Sequence, residues 1–169
     1  WRFADGKIDR YPALASELVE AKVDLIVTSG TPAALAAKKA TSSIPIVMTI
    51  SAFPEKVGLV ESLSHPGGNI TGFSHAAPEV TGKRLQLLKQ LAPKTVRIVV
   101  LGNAASPIDV LAFREIQTAA AALGLELQRI DARTPDDHAA AFAAVTASRA
   151  DAMHVVGNPA NFKNAQAIA

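Results

Sequence analysis

Residues 24–33, Asp-Leu-Ile-Val-Thr-Ser-Gly-Thr-Pro-Ala, leave the backbone little freedom. Leu25-Ile26-Val27 is a short apolar run, of the kind found in a parallel strand covered on both faces. Gly30 admits backbone angles that other residues avoid. Thr31 is an N-cap candidate, and Pro32 suits the first helical position because it has no N–H to waste. The stretch therefore reads as strand, sharp turn and helix start. Its frame recurs at 151–160, Asp-Ala-Met-His-Val-Val-Gly-Asn-Pro-Ala. Asp, Gly, Pro and Ala keep identical spacing, and Asn158, another N-cap residue, replaces Thr31. A helix ending in a basic residue, Lys22 or Arg149, precedes each Asp by two positions. Two copies of one unit predict two similar halves. The plain alternative is that βα units converge on similar caps and turns.

The chain between the copies tests that idea. Helical spacing over 11–22 puts Leu14, Leu18 and Ala21 on one face. A strand over 24–28, an Ala-rich helix over 32–41 and an apolar strand over 46–50 follow. This alternation predicts a parallel sheet with helices on both sides. Patterning then lapses through a loop at 51–56, a short helix at 57–63 and a turn cluster at 65–69. A strand at 70–73 leads into 74–78, read as a segment crossing between lobes. The next helix carries Leu85, Leu88 and Ala92 as its stripe, with Leu91 adjacent, and Pro93 ends it. A strand at 96–101 precedes a long helix from Ser106-Pro107, with Phe113, Ile116, Ala120 and Leu123 inward and Gly124 as its cap. After a strand at 125–130, Thr134-Pro135-Asp136-Asp137 is a helix-start signature, with Phe142 and Val145 inward. The last strand is 152–156, and Pro159 opens the last helix. Residues 1–6 read as the end of a strand and 165–169 stop within a helix, as expected of a fragment.

Composition narrows the chemistry. With 49% hydrophobic but only 5% aromatic residues, the core must be aliphatic and Ala-rich. A net charge of +2 from 17 basic and 15 acidic residues gives no case for nucleic acid. The absence of cysteine excludes disulfides, Cys-ligated zinc and thiol nucleophiles. No apolar run approaches the roughly 20 residues that span a bilayer.

Motifs for sharper chemistry fail one by one. There is no G-x-G-x-x-G, and Gly82-Lys83 lacks both the upstream glycine and the following Ser or Thr of a phosphate loop. Ser29 sits where an α/β-hydrolase places its nucleophile, but Val27 and Thr31 stand where the flanking glycines belong. His65, His75, His138 and His154 show no metal-ligand spacing. His154 reads as a core or interlobe side chain, and His138 as one on a solvated helix face. No carboxylate pair stands out as acid and base. Lys83, Arg84, Lys89, Lys94 and Arg97 read as a solvated basic face. No cofactor and no metal are expected. What remains is a set of small polar residues at strand C-terminal ends: Ser29, Gly30 and Thr31; Ser51 with Phe53; Asn103 and Ser106; and Asn158. Ligands of open parallel sheets bind outside those ends. Singly each residue reads as a cap or turn former; as a group they point to a small polar solute, with Phe53 covering its apolar part.

Taken in order, Arg2-Phe3-Ala4-Asp5-Gly6-Lys7, the segment 23–34, Ile44-Pro45-Ile46-Val47, Pro66-Gly67-Gly68-Asn69-Ile70-Thr71-Gly72-Phe73-Ser74 and Lys83-Arg84-Leu85 resemble the ABC-transporter substrate-binding proteins of tryptophan and tyrosine type. The resemblance implies a type I periplasmic-binding fold, with two Rossmann-like α/β lobes whose parallel sheets are flanked by helices. It assigns residues 1–77 to lobe one and 78–169 to lobe two, both partial. It also implies a small-molecule solute held in an interlobe cleft, with Ser29-Gly30-Thr31 and Gly157-Asn158 as facing walls. Further implications are no catalysis, a membrane permease as partner, and a periplasmic or extracytoplasmic location. Many relatives carry Asp before proline where this chain has Phe53-Pro54, which favours a solute with an apolar or planar part. Two other readings stand beside it: the ligand-sensing effector domain of a transcriptional regulator with the same fold, and a hydrolase using Ser29.

Overall fold

The computed structural model describes residues 1–5, 7–75, 77–158, 161–162 and 164–168. The chain divides into two compact units, Trp1–Ala76 and Ala77–Ala169.

The first unit runs α1 (Tyr11–Glu20), β1 (Ile26–Ser29), α2 (Thr31–Ala40), β2 (Ile46–Ser51) and β3 (Ile70–Ser74), after a 3-10 turn at Ile8–Arg10. The strands form one parallel sheet in the order β1-β2-β3. Ile26, Ile46, Met48 and Ile70 pack on Ala34 and Ala37 of α2 and on Leu59 and Val60, with Leu18 and Val19 of α1 at the margin. Ile46 and Ile70, 0% and 2% exposed, each contribute about 1.5–3 kcal/mol by leaving water. Both helices thus serve one core on one side of the sheet. On the other side Val27 is 59% and Phe73 73% exposed. β1 thus alternates buried and exposed along Ile26–Ser29, although Leu25-Ile26-Val27 is an unbroken apolar run.

Other local departures have physical causes. Residues 57–63 form no helix; the chain turns through 54–58, and Gly58 at φ 71 breaks any helical continuation. Residues 1–5 form no strand, and the Trp1 ring stacks on Phe3 with centroids 6.4 Å apart. Gly72 is required by a close approach. At φ 138, a Cβ there would lie 2.1 Å from the Met48 carbonyl oxygen, where the β2–β3 register shifts.

The second unit runs α3 (Ala77–Leu91), β4 (Arg97–Gly102), α4 (Pro107–Ala122), β5 (Glu126–Asp131), α5 (His138–Ser148), β6 (Ala152–Val155) and α6 (Ala165–Ile168), with a 3-10 turn at Pro135–Asp137 before α5. Its parallel sheet has the order β5-β4-β6. Here the central strand is covered on both faces. Ile98 and Val100 pack with Leu85, Ile116 and Ala120, while Val99 and Leu101 pack with Ala141 and Val145. α3 begins at Ala77, so Pro78, expected in a connecting segment, lies in its first turn. Leu85 and Leu88 face the core, but Leu91 is 86% exposed and Ala92 is exposed too. Pro159, expected to open the last helix, lies outside the described residues.

Both ends of α4 follow the sequence signals. Ser106 caps α4, its Oγ accepting the Asp109 N–H at 3.3 Å. The far end is a Schellman motif: the Leu125 N–H reaches the Ala120 carbonyl at 3.0 Å across Gly124, which sits at φ 63. Asp137 completes the start of α5 in reverse, its Oδ2 accepting the N–H groups of Thr134 and Arg133, both at 2.8 Å. Those bonds hold its carboxyl below the usual carboxylate range. Lys22 and Arg149, the matched basic residues of the two frames, share the same left-handed conformation at φ 51. None of the described helices is long and apolar enough to cross a membrane.

Candidate functional site

In the first unit the C-terminal ends of β1 and β2 lie side by side, Ser29 opposite Ile50. Gly30, at φ 87, turns the chain into α2 and donates its N–H to the Ile50 carbonyl at 3.0 Å. Gly30, and not Thr31, occupies the N-cap position, and no side chain caps α2. The Thr31 side chain points instead into the protein, 3% exposed. Its Oγ1 accepts the Ala52 N–H at 2.8 Å and lies 3.1 Å from Ser51 Oγ and 3.3 Å from the Ala52 carbonyl. The expected cap is thus a latch between the start of α2 and the loop after β2. The hydroxyl is drawn there because an internal N–H has no water to turn to. Ser51 is equally internal, at 1% exposure. Ser29 keeps an exposed side chain.

Phe53, expected to cover a solute, is 7% exposed and adopts φ 51, unusual for an aromatic residue. The Lys56 ammonium stands 5.4 Å over its ring. The aromatic open to solvent in this unit's sheet is Phe73, one residue before Ser74, which pairs with Ser51 across β2 and β3. The sequence reading passed over Phe73 because an apolar residue in a strand signals core.

In the second unit, Asn103, Ser106 and Asn158 gather around Asp109, a buried carboxylate at 2% exposure. Asp109 Oδ2 accepts the Asn103 N–H at 2.9 Å and the Asn158 Nδ2–H at 2.7 Å. The Asn103 Oδ1 accepts the Ala105 N–H at 2.9 Å. Asp131, at the end of β5, takes the neighbouring Ala104 N–H at 2.7 Å and the Arg129 Nε–H at 3.0 Å. Asn158 is 8% exposed, and its Oδ1 accepts the Asn161 N–H at 2.9 Å; the start of the helix it is expected to cap lies outside the described residues. The network continues inward. Asn161 Nδ2 donates to the Val156 carbonyl at 2.7 Å, and its Oδ1 lies 3.0 Å from His138 Nε2. His138 is therefore not on a solvated face: at 4% exposure it is locked to Asn161 and to the Thr134 carbonyl. Asp109 escaped the sequence reading because an acid in the first turn of a helix is the ordinary surface complement to the helix dipole.

The remaining groups are structural. Asp151 Oδ2 accepts the backbone N–H groups of Arg97 and Val96, both at 2.8 Å, fixing the start of β6 beside β4. Its carboxyl is held below the usual range by those two bonds, Arg97 first. His154, in β6, is pushed down from its ordinary value by burial and, second, by the Arg84 guanidinium. No His, Asp or Glu cluster suited to a metal occurs among the described residues.

Residues 2–165 match the family described as ABC transporter substrate binding protein. A curated relative, the tyrosine-binding protein of Clostridioides difficile (strain R20291), is 45% identical over 91 residues, covering 54% of this chain and 26% of that protein. A solved structure described as an ABC domain in complex with L-Trp, from Streptococcus pneumonia, superposes with a TM-score of 0.89 at 25% identity over 98% of this chain and 55% of the other. A conserved domain protein from Vibrio cholerae O1 biovar El Tor gives a TM-score of 0.83 at 30% identity, covering 90% of this chain and 50% of the other. The chain spans about half the length of these solved structures and about a quarter of the curated relative. The fold is that of the type I periplasmic binding proteins. The chain belongs to the family of ABC transporter substrate-binding proteins.

Proposed function

We propose that this chain is part of the solute-binding component of an ABC import system and that its solute is a small organic molecule of the amino acid or aromatic acid type. The observation that carries the reading is positional. Ser29 and Gly30 in one unit, and Asn103 and Ser106 in the other, stand where parallel strands end and helices begin, and Asn158 follows the end of β6. That edge is the binding edge of open α/β sheets. At the first unit's edge, the exposed Ser29 hydroxyl lies beside the uncapped start of α2, whose free N–H groups favour an anionic group such as a carboxylate. Thr31 and Ser51 support this edge from inside, and Phe53 does so as a packed side chain. Phe73 offers an exposed ring for a planar solute.

The tyrosine-binding relative and the L-Trp complex support an aromatic amino acid as the first solute to try. A membrane permease as partner, an extracytoplasmic location and the absence of catalysis belong to the same proposal. The match to a transport family does not favour a regulator's effector domain. The test is calorimetric titration of the intact protein with L-tyrosine, L-tryptophan and 4-hydroxybenzoate. Binding by the wild type, weakened in Ser29→Ala without loss of thermal stability, is the expected result. Unchanged affinity in Ser29→Ala refutes the placement of the first unit's edge. No binding of any of the three refutes the solute class.

A further inference from the structure

We infer that Asp109 is the positioning residue of the second unit's edge, and that the edge it builds takes a hydrogen-bond acceptor of the solute, a carboxylate, carbonyl or hydroxyl oxygen. The inference rests on the solute-binding reading and adds which solute group this edge holds.

The bonding inventory is the argument. One buried carboxylate oxygen holds the Asn103 N–H at 2.9 Å and the Asn158 Nδ2–H at 2.7 Å. The Asp109 backbone N–H is in turn held by Ser106 Oγ at 3.3 Å. Three chain segments are thereby tied at one point: the end of β4, the start of α4 and the turn after β6. The packing around that oxygen is close. A Cβ on Gly102 would lie 3.4 Å from Asp109 Oδ2 and equally near Val156 Cγ2. The Asn158 amide cannot be flipped, because Nδ2 faces a carboxylate and Oδ1 faces the Asn161 N–H.

The three side chains are thus oriented, each with its oxygen bound to a backbone N–H. Asn103 Oδ1 holds the Ala105 N–H, Ser106 Oγ holds the Asp109 N–H, and Asn158 Oδ1 holds the Asn161 N–H. Each of these oxygens already holds one backbone hydrogen, whereas the two Asn103 amide hydrogens, the Ser106 hydroxyl hydrogen and the second Asn158 amide hydrogen are uncommitted, so hydrogens outnumber the open lone pairs. An edge with this excess of hydrogens favours a solute oxygen over an ammonium group. A solute lacking a matching oxygen would leave desolvated donors unpaired, and such mismatches discriminate strongly.

The experiment uses the intact protein, its Asp109→Ala and Asp109→Asn variants, side-chain amide NMR of Asn158, and calorimetry with L-tyrosine, L-tryptophan and tryptamine. In Asp109→Asn the new amide oxygen can accept the same two bonds, so affinity stays close to wild type while the Asn158 Nδ2 proton moves upfield opposite a neutral acceptor. In Asp109→Ala the Asn158 amide signals shift further, and the amino-acid probe that binds wild type loses on the order of tenfold in affinity. Asn158 signals unchanged in both variants overturn the positioning role, whether or not solute binds; this readout stands even where Asp109→Ala does not fold, because Asp109→Asn reports it alone. Binding of tryptamine as tight as that of L-tryptophan overturns the acceptor assignment. Shifted Asn158 signals with no binding of either amino acid by wild type uphold the positioning role and refute the solute reading.

Discussion

Replacing Thr31 by Val tests the latch between α2 and the loop after β2. The substitution keeps shape and removes one hydroxyl. In its absence the Ala52 N–H, now 2.8 Å from Thr31 Oγ1, is left without that acceptor in a segment where Ser51, Ala52 and Phe53 are 1%, 8% and 7% exposed. Leaving a buried donor unpaired costs about 1–3 kcal/mol, and Ser51 Oγ loses its partner as well. We expect about 2 kcal/mol. Ser51→Ala should cost less, about 0.5–1.5 kcal/mol, because Thr31 still accepts from Ala52 and can donate to the Ala52 carbonyl at 3.3 Å. Urea unfolding measures both, with the midpoint falling and the slope unchanged. Faster exchange of the Ala52 amide in Thr31→Val alone would locate the loss. If Thr31→Val costs no more than Ser51→Ala, the latch contributes nothing beyond packing and the reasoning fails.

Thr28→Val should raise stability by about 1 kcal/mol in the same assay, because the Thr28 hydroxyl is buried with no hydrogen-bond partner and an apolar replacement of like shape removes that cost. Gly72→Ala and Gly124→Ala should separate sharply by thermal melts. Gly124 has open space around it and φ 63, so alanine there costs about 1–2 kcal/mol of backbone strain, whereas at Gly72 the added Cβ meets the Met48 backbone and the loss should exceed that several-fold. For His154 the folded state binds its proton less readily than the unfolded chain, whose value is 6.5. Stability should therefore fall as pH drops below about 6.5 and level off once the folded-state pKa is passed. His154→Gln should flatten that part of the pH profile, and an unchanged slope would refute the assignment.

Much of the fold was legible because helices and strands differ in period, and because Pro, Gly, Ser and Asp mark helix ends through backbone chemistry. The start of α4 at Ser106-Pro107 and its end at Gly124 follow from the sequence for that reason. What a continuous apolar run does not encode is how many of its faces are covered. β4 and β1 both read as buried strands, yet only β4 has helices on both sides, since that depends on where distant segments pack. The candidate edge was legible as a set of positions. The roles within it were not, because a hydroxyl at a helix start can turn outward as a cap or inward as a latch. That choice is made by the loop it meets, 20 residues away in the case of Thr31 and Ser51. His138 was misplaced for the same reason: its partner Asn161 lies 23 residues on.

The two copies of the Asp–Gly–Pro–Ala frame show how far a shared sequence pattern constrains chemistry. Both put a basic residue at φ 51 before a strand and a small polar residue after the turn. Beyond that they diverge. Gly30 turns through φ 87, whereas Gly157 stays outside the left-handed region. Thr31 is satisfied by neutral partners, Ser51 and Ala52, so the first unit's turn carries no buried charge. Asn158 has an amide in place of a hydroxyl and meets a buried carboxylate, Asp109. The difference follows from the donor count: a threonine hydroxyl brings one hydrogen, whereas an asparagine amide brings two and an acceptor. Asn158 can therefore bond Asp109, hold the Asn161 N–H and still have one hydrogen uncommitted, whereas the single Thr31 hydrogen is shared between Ser51 and the Ala52 carbonyl. The common frame places the turns, and the residue after the glycine decides whether the turn side chain is satisfied by neutral groups or by a buried carboxylate.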